Sequence, residues 1–360
     1  MNTFRTDGAD GPGRPEMVDW DLAVRIGGRL AGEGPVVGRD EAAAIVDELR
    51  AGAARSTGLV REFTGLVAPD AGSGAGAPVL VVDRASWVQA NADAFAMLLA
   101  PVVDKLTQKK PISGLSATVG SRLTGAEVGG VLGFLASKVL GQFDPFHEPD
   151  GRLLLVAPNI VHVEREIEAD PHDFRLWVCL HEETHRVQFT AVPWMREHMF
   201  GQIHRFAETM EPGSLLEDGL GRVLDGLKNA RSGGSLIDLV GTPEQRALLD
   251  DLTGVMSLLE GHADVVMDGV GPSVIPSVAK IRARFNERRK GVGVLDKFLR
   301  RVLGLDAKMA QYRDGAVFVR SVVDKAGMSG FNVVWERPEH LPSRAEISDP
   351  DAWMARVLRT

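Results

Sequence analysis

Apolar residues recur at helical spacing along most of the chain. Between Val18 and Gly65 they form two runs: Trp20, Leu22, Ala23, Ile26 and Leu30, then Ala42, Ile45, Val46 and Leu49. This spacing predicts two amphipathic helices. Ala68 to Pro78 (APDAGSGAGAP) breaks the period and reads as a linker or long loop. Its glycines precede the apolar run Val79 to Val82. A dinucleotide-binding fingerprint needs them after a strand and opening a helix, so no such site is predicted. Trp87 to Val103 has the pattern of a long helix kinked at Pro101. Arg152 to Val163 (RLLLVAPNIVHV) is the best strand candidate, broken in the middle by Pro158 and Asn159. Beyond it the pattern is again helical. The chain thus divides into a flexible tail over 1–16, a helical region over 17–150 and a second region over 151–360.

Composition narrows the function classes. One cysteine, Cys179, in 360 residues rules out internal disulfides and a four-cysteine zinc site. Acidic residues outnumber basic ones, 49 to 41, and the net charge of −8 argues against a general nucleic-acid binder. The most apolar stretch, Val128 to Ser137, is far short of the roughly 20 residues that span a bilayer. Its glycines suit a close helix contact in a core. The N-terminus lacks the apolar run of a signal peptide, so a cytoplasmic protein without membrane or nucleic-acid partners is expected. Lys280 to Arg301 is locally basic and reads as a solvated helix face.

Asp170 to Val192 carries the most chemistry. Asp170 is a good N-cap, Pro171 suits the first helical position, Asp173 adds charge to the first turn and Pro193 marks the end. Inside lies His181-Glu182-Glu183-Thr184-His185, an HExxH motif. Four residues advance a helix by about 400°, so both imidazoles stand on one face and can reach one metal ion. Glu182 lies beside the first histidine, where it can contact water at that metal. A metzincin third ligand fails, because Gln188 and Ala191 stand where Gly and His are required. His198 and His204 have no diagnostic spacing, and Glu208 lacks an Asp four residues on.

Thr242-Pro243-Glu244-Gln245 has the form of a capping box opening a helix to Asp268, with an apolar stripe at Leu248, Leu252, Val255, Leu259, Ala263 and Val266. It contains Glu260-Gly261-His262-Ala263-Asp264. Glu260 and Asp264 share a face, and His262 points about 200° away. The helix can therefore offer Glu260 as a ligand, with Asp264 orienting an imidazole N–H, or else His262 alone. Gly261 suits close packing against the HExxH helix.

The segments HEETHRVQFTAVPW and SLLEGHADVVMD resemble zincin-like metallopeptidases of the gluzincin type. More narrowly they resemble an actinobacterial family of unknown substrate, sometimes labelled as associated with deazaflavin coenzyme biosynthesis. The likeness extends to VDWDLAVRIGGRLA, RLLLVAPNIVHVERE, KMAQYRDGAVFV and DPDAWMARV, and so covers nearly the whole chain. It implies a mainly α (α+β) zincin-like fold with a small sheet beside the HExxH helix, and a catalytic region over 151–360. It also implies Zn2+ held by His181, His185 and Glu260, with Glu182 as general base. Nothing in these residues supports the coenzyme label.

Three protein ligands would leave a fourth zinc position for water, the arrangement of a catalytic site. A zinc-dependent hydrolase of peptides or other amides is expected, with Glu182 taking a proton from the attacking water. The alternative is a zinc-stabilised scaffold that binds a partner without turnover. Retention of Glu182 favours the enzyme. Tyr312, in the polar run Gln311 to Gly315, is a candidate oxyanion donor or else a buried phenol bridging two helices, and His262 is a second candidate. The strand Leu153 to Val156 is placed as the edge strand of zincins is, where an extended peptide could add. An internal strand is the other reading. Cys179 lies on the opposite helical face and reads as an inert buried thiol.

Overall fold

The computed structural model describes residues 17–67, 76–109, 115–209, 242–290 and 305–358, except the side chains of 102, 104–109, 115–118, 207, 289, 290 and 305–313. The two N-terminal amphipathic runs are α1 (Trp20–Ala31) and α2 (Arg39–Thr64). Asp19 caps α1 by accepting from the Leu22 N–H at 2.8 Å, and Gly65 ends α2 in the left-handed region at φ 73°. After β1 (Val79–Val82), α3 (Arg84–Lys109) includes Pro101 and runs past the expected end at Val103. The glycine-rich apolar stretch lies in α4 (Leu115–Ala136), which meets α1 backbone to backbone at Gly129 and Gly133.

The sheet has three strands, β1, β2 (Gly141–Asp144) and β3 (Arg152–Val156), in the order β1-β3-β2. β3 runs parallel to β1, with Leu153 opposite Val79, and antiparallel to β2, with Leu155 opposite Gly141. Of the two readings of this strand, edge and internal, the internal one holds: β3 is central, and β2 is an edge. Its composition carries the reason. Leu154 and Val156 face the layer of α1, α3 and α4, while Leu155 faces the core around the HExxH helix. A strand covered on both faces reads as an unbroken apolar run. Burying each leucine contributes about 2 kcal/mol.

The strand also stops earlier than expected. Ala157 opens α5 (Ala157–Glu166), with Pro158 in its first turn, where a missing N–H breaks no helical bond. The buried Asn159 donates from Nδ2 to the carbonyls of Ala136 (2.7 Å) and Val139 (2.6 Å) and accepts from Arg84 Nε at 2.6 Å. Pro158 and Asn159 thus begin a helix and tie it to α3 and α4.

The remaining α-helices among the described residues are α6 (Pro171–Ala191), α7 (Met195–Glu208), α8 (Pro243–Gly269), α9 (Val278–Lys290), α10 (Leu305–Asn332), α11 (Arg344–Ser348) and α12 (Pro350–Val357). α6 is the hub, packed between α2, α8 and the sheet. A second apolar core joins α7, α8, α10 and the C-terminal helices around Phe318, Phe331 and Trp353. The sheet spans the boundary drawn at residue 150, since β1 and β2 precede it and β3 follows it. The molecule is mainly helical with one small sheet. Among the described residues no helix is long and apolar enough to cross a membrane.

Candidate active site

The Asp170 carboxylate starts α6 by accepting from the Asp173 N–H at 3.0 Å. One helical turn carries His181 to His185, and their Nε2 atoms stand 3.2 Å apart. The facing helix α8 begins with the complete Thr242/Gln245 capping box and lays Glu260 against the two rings. Glu260 Oε2 is 3.5 Å from His181 Nε2 and 3.8 Å from His185 Nε2. One donor atom from each of the three lies within 4.8 Å of the others. Donors bound at about 2.1 Å to a tetrahedral zinc ion stand about 3.4 Å apart, so both the spacing and the N, N, O set fit that ion. Burial disfavours a charged His181. The hydrogen bond to Glu260 and the charges of Glu182, Glu260 and Asp264 outweigh burial and raise its pKa. The site therefore carries a field that favours a cation.

Glu182 is 6 % exposed. Burial pushes its carboxyl up to about 7, against the pull of His181 and with a further push from Glu260. The edge strand stands directly over it, and a Cβ on Gly141 would lie 2.7 Å from Glu182 Cδ. Only glycine lets the backbone approach this closely. A cavity of about 310 Å³ is lined by His181, Glu182 and Glu260 together with Trp177, Met267 and Phe285. The second glutamate of the motif has a different task. Glu183 is fully buried and takes two hydrogen bonds from Arg186, each 2.7 Å, which hold α6 together locally.

The family model for zincin-like metallopeptidases matches residues 18–354. The chain belongs to this family. Its fold is similar to that of a crystal structure from Chloroflexus aurantiacus, described provisionally as a hydrolase with a novel fold. The TM-score is 0.71 and the identity 32 %, over 95 % of this chain and 99 % of that one. A comparison with curated proteins finds no match.

Several neighbours of this zincin-like site differ from the expectations. Asp264 does not orient an imidazole. Its carboxylate is held by Arg282 and by Arg320 Nη2 at 3.3 Å, because it faces α9 and α10, whose guanidinium groups bind a carboxylate more strongly than a neutral ring does. The Nδ1 of His181 instead faces Met267 Sδ at 3.1 Å, and His185 Nδ1 donates to Gln188 Oε1 at 3.0 Å. His262 lies outside the three-residue donor cluster and does not line the cavity. It points away from the cavity, wholly buried beside Phe331 and Trp335, with Nδ1 3.0 Å from Gln188 Nε2. Burial, and next the proximity of His185, push its pKa down to about 3, so the ring is neutral. Gly261 packs against α10 rather than the HExxH helix: a Cβ there would stand 2.1 Å from the Gly315 carbonyl carbon.

His198, His204 and Glu208 lie on α7, outside the donor cluster. Tyr312 falls in α10, but its side chain lies outside the described residues. In the basic run, Arg282, Arg284 and Arg288 pair with Asp264 and Asp268, Glu168, and Glu166. That helix face meets acidic groups of the protein itself. Cys179 is buried with Sγ 3.6 Å from the Leu49 carbonyl, and burial raises its pKa strongly. Gln188, Gly141 and Met267 were not anticipated. The three-residue step from His185 to Gln188 is the one local signal that could have found any of them.

Proposed function

We propose that this chain is a zinc-dependent amide hydrolase acting on peptides, with His181, His185 and Glu260 as the metal-holding residues. The observation that carries the reading is the convergence of these three donors from two helices beside a buried fourth residue, Glu182. The family membership and the hydrolase description of the similar crystal structure support it. Bound there, zinc supplies Lewis acidity, lowering the pKa of water and polarising a carbonyl.

Glu182 performs the proton work. A carboxyl tuned near neutrality can accept a proton at its carboxylate oxygen and return it to a leaving amine. Trp177, Met267 and Phe285 form an apolar wall that limits water and accommodates a substrate side chain. With β3 central, strand addition of an extended peptide passes to the edge strand β2, whose Gly141 lines the cavity.

Metal analysis of purified wild type beside Glu260→Ala tests the ligand set. Wild type should hold one zinc per chain, and Glu260→Ala should bind it at least about tenfold more weakly. Equal affinity in both would remove Glu260 from the set. A peptide library should then be cleaved by wild type and left intact by Glu182→Gln, which should keep its zinc. Wild type that holds zinc and cleaves nothing would instead support a metal-stabilised scaffold.

A further inference from the structure

Two fully buried polar side chains near the site, Gln188 and His262, have no part in this mechanism. Gln188 Nε2 lies 2.9 Å from the Leu259 carbonyl, a group that can only accept. The amide nitrogen must therefore face that carbonyl, which settles the orientation of the amide. Oε1 is then turned toward His185 Nδ1 at 3.0 Å. An amide oxygen accepts and cannot donate, so His185 carries a proton on Nδ1. Its Nε2 lone pair is left facing His181 Nε2 and Glu260 Oε2.

The second amide proton of Gln188 points to His262 Nδ1 at 3.0 Å. That nitrogen must accept, so His262 carries its proton on Nε2, where it meets no hydrogen-bond partner among the described residues. A buried N–H without a partner is destabilising, and an aromatic hydrocarbon ring at this position would avoid the loss. What histidine adds over such a ring is the acceptor at Nδ1.

We propose that Gln188 and His262 are positioning residues: the Leu259 carbonyl, the Gln188 amide and the His262 ring together hold His185 in the tautomer and orientation that put its lone pair on Nε2, the atom that would ligate a metal. The purpose of this relay rests on the reading of His185 as a zinc ligand. The hydrogen-bond relay itself can be observed without metal.

The test measures zinc affinity by chelator competition for wild type, Gln188→Leu, His262→Phe and His262→Asn, with melting of each metal-free form as a check on folding. Gln188→Leu should bind zinc about 10- to 100-fold more weakly. His262→Phe should show a smaller loss, and His262→Asn, which can place an amide oxygen near the former Nδ1, should recover most of it. Nitrogen-15 spectra of metal-free wild type at alkaline pH should show His185 protonated at Nδ1 and His262 at Nε2. Unchanged zinc affinity in folded Gln188→Leu overturns the proposal, as does the opposite tautomer at His185. If Gln188→Leu fails to fold, the wild-type spectrum and the His262 pair decide. Wild type that takes up no zinc, while showing the expected tautomers, overturns the metal reading and the purpose assigned to the relay, leaving only its hydrogen bonds.

Discussion

Above the Glu182 carboxylate there is room at residue 141 for a hydrogen and nothing larger. A methyl on Gly141 would stand 2.6 Å from Glu182 Cγ and 2.7 Å from Cδ. Gly141→Ala must therefore move either the strand or the Glu182 carboxylate, which the proposed function makes the proton acceptor. The substitution should lower kcat/KM for peptide cleavage by about 100-fold, as displacements of about 1 Å in a catalytic group can do. Zinc content should stay at the wild-type level, since no ligand is touched. Wild-type cleavage rates in Gly141→Ala would show that the carboxylate tolerates the shift. Residues differ in how readable such roles are. His181 and His185 share one helix, so spacing alone places them together. Gly141 and Glu182 are 41 positions apart, and no local pattern links them.

Helix packing around the site depends on two glycines in facing helices. A Cβ on Gly261 would meet the Gly315 carbonyl carbon at 2.1 Å, and one on Gly315 would meet Ser257 O at 1.9 Å. Either alanine substitution forces α8 and α10 apart. Gly261→Ala should destabilise the protein by about 3 kcal/mol in urea unfolding, the upper end of ordinary overpacking. Thr242→Ala, which removes one half of the α8 capping box, should cost about 1 kcal/mol. If Gly261→Ala proved no more destabilising than Thr242→Ala, the helix contact would be more yielding than its geometry indicates. The cap was legible in the sequence because its hydrogen bonds span three residues. The partner of Gly261 was not, because a glycine records that something comes close without recording what.

Across the molecule, α2 is anchored to α5 and α6 by charge. Arg175 on α6 binds Glu164 at 2.7 Å and also Glu48 of α2, which His172 contacts as well. Burial alone would raise the Glu48 pKa, but the hydrogen bonds and charges of His172 and Arg175 outweigh it and hold the carboxyl below its ordinary value. A carboxyl depressed in the folded state contributes stability above its unfolded pKa of about 4.5, and that contribution is lost as pH falls through the folded value. Glu48→Gln should therefore cost about 1 kcal/mol at pH 7. The difference from wild type should shrink as pH falls below about 4.5 and vanish once pH is below the folded-state value, where both side chains are uncharged. Urea titrations at several pH values would check this, and a gap that persists in acid would point to lost packing rather than lost charge.

The sequence by itself determined what depends on neighbours a few residues apart. It placed the two histidines on one helix face, set the start of α6 and α8, excluded a four-cysteine zinc site and pointed to a mainly helical chain. Helix period, capping bonds and composition are local quantities, so they survive in a one-dimensional reading. Only the tertiary structure decided how distant segments meet. It made the apolar strand β3 central, brought Glu260 to within 3.8 Å of both imidazoles, gave Asp264 to Arg282 and Arg320 and set Gln188 between His185 and His262. The physical reason is competition. A carboxylate or an amide has several chemically suitable partners in the chain, and which one it takes is settled by the packing of helices that are far apart in sequence.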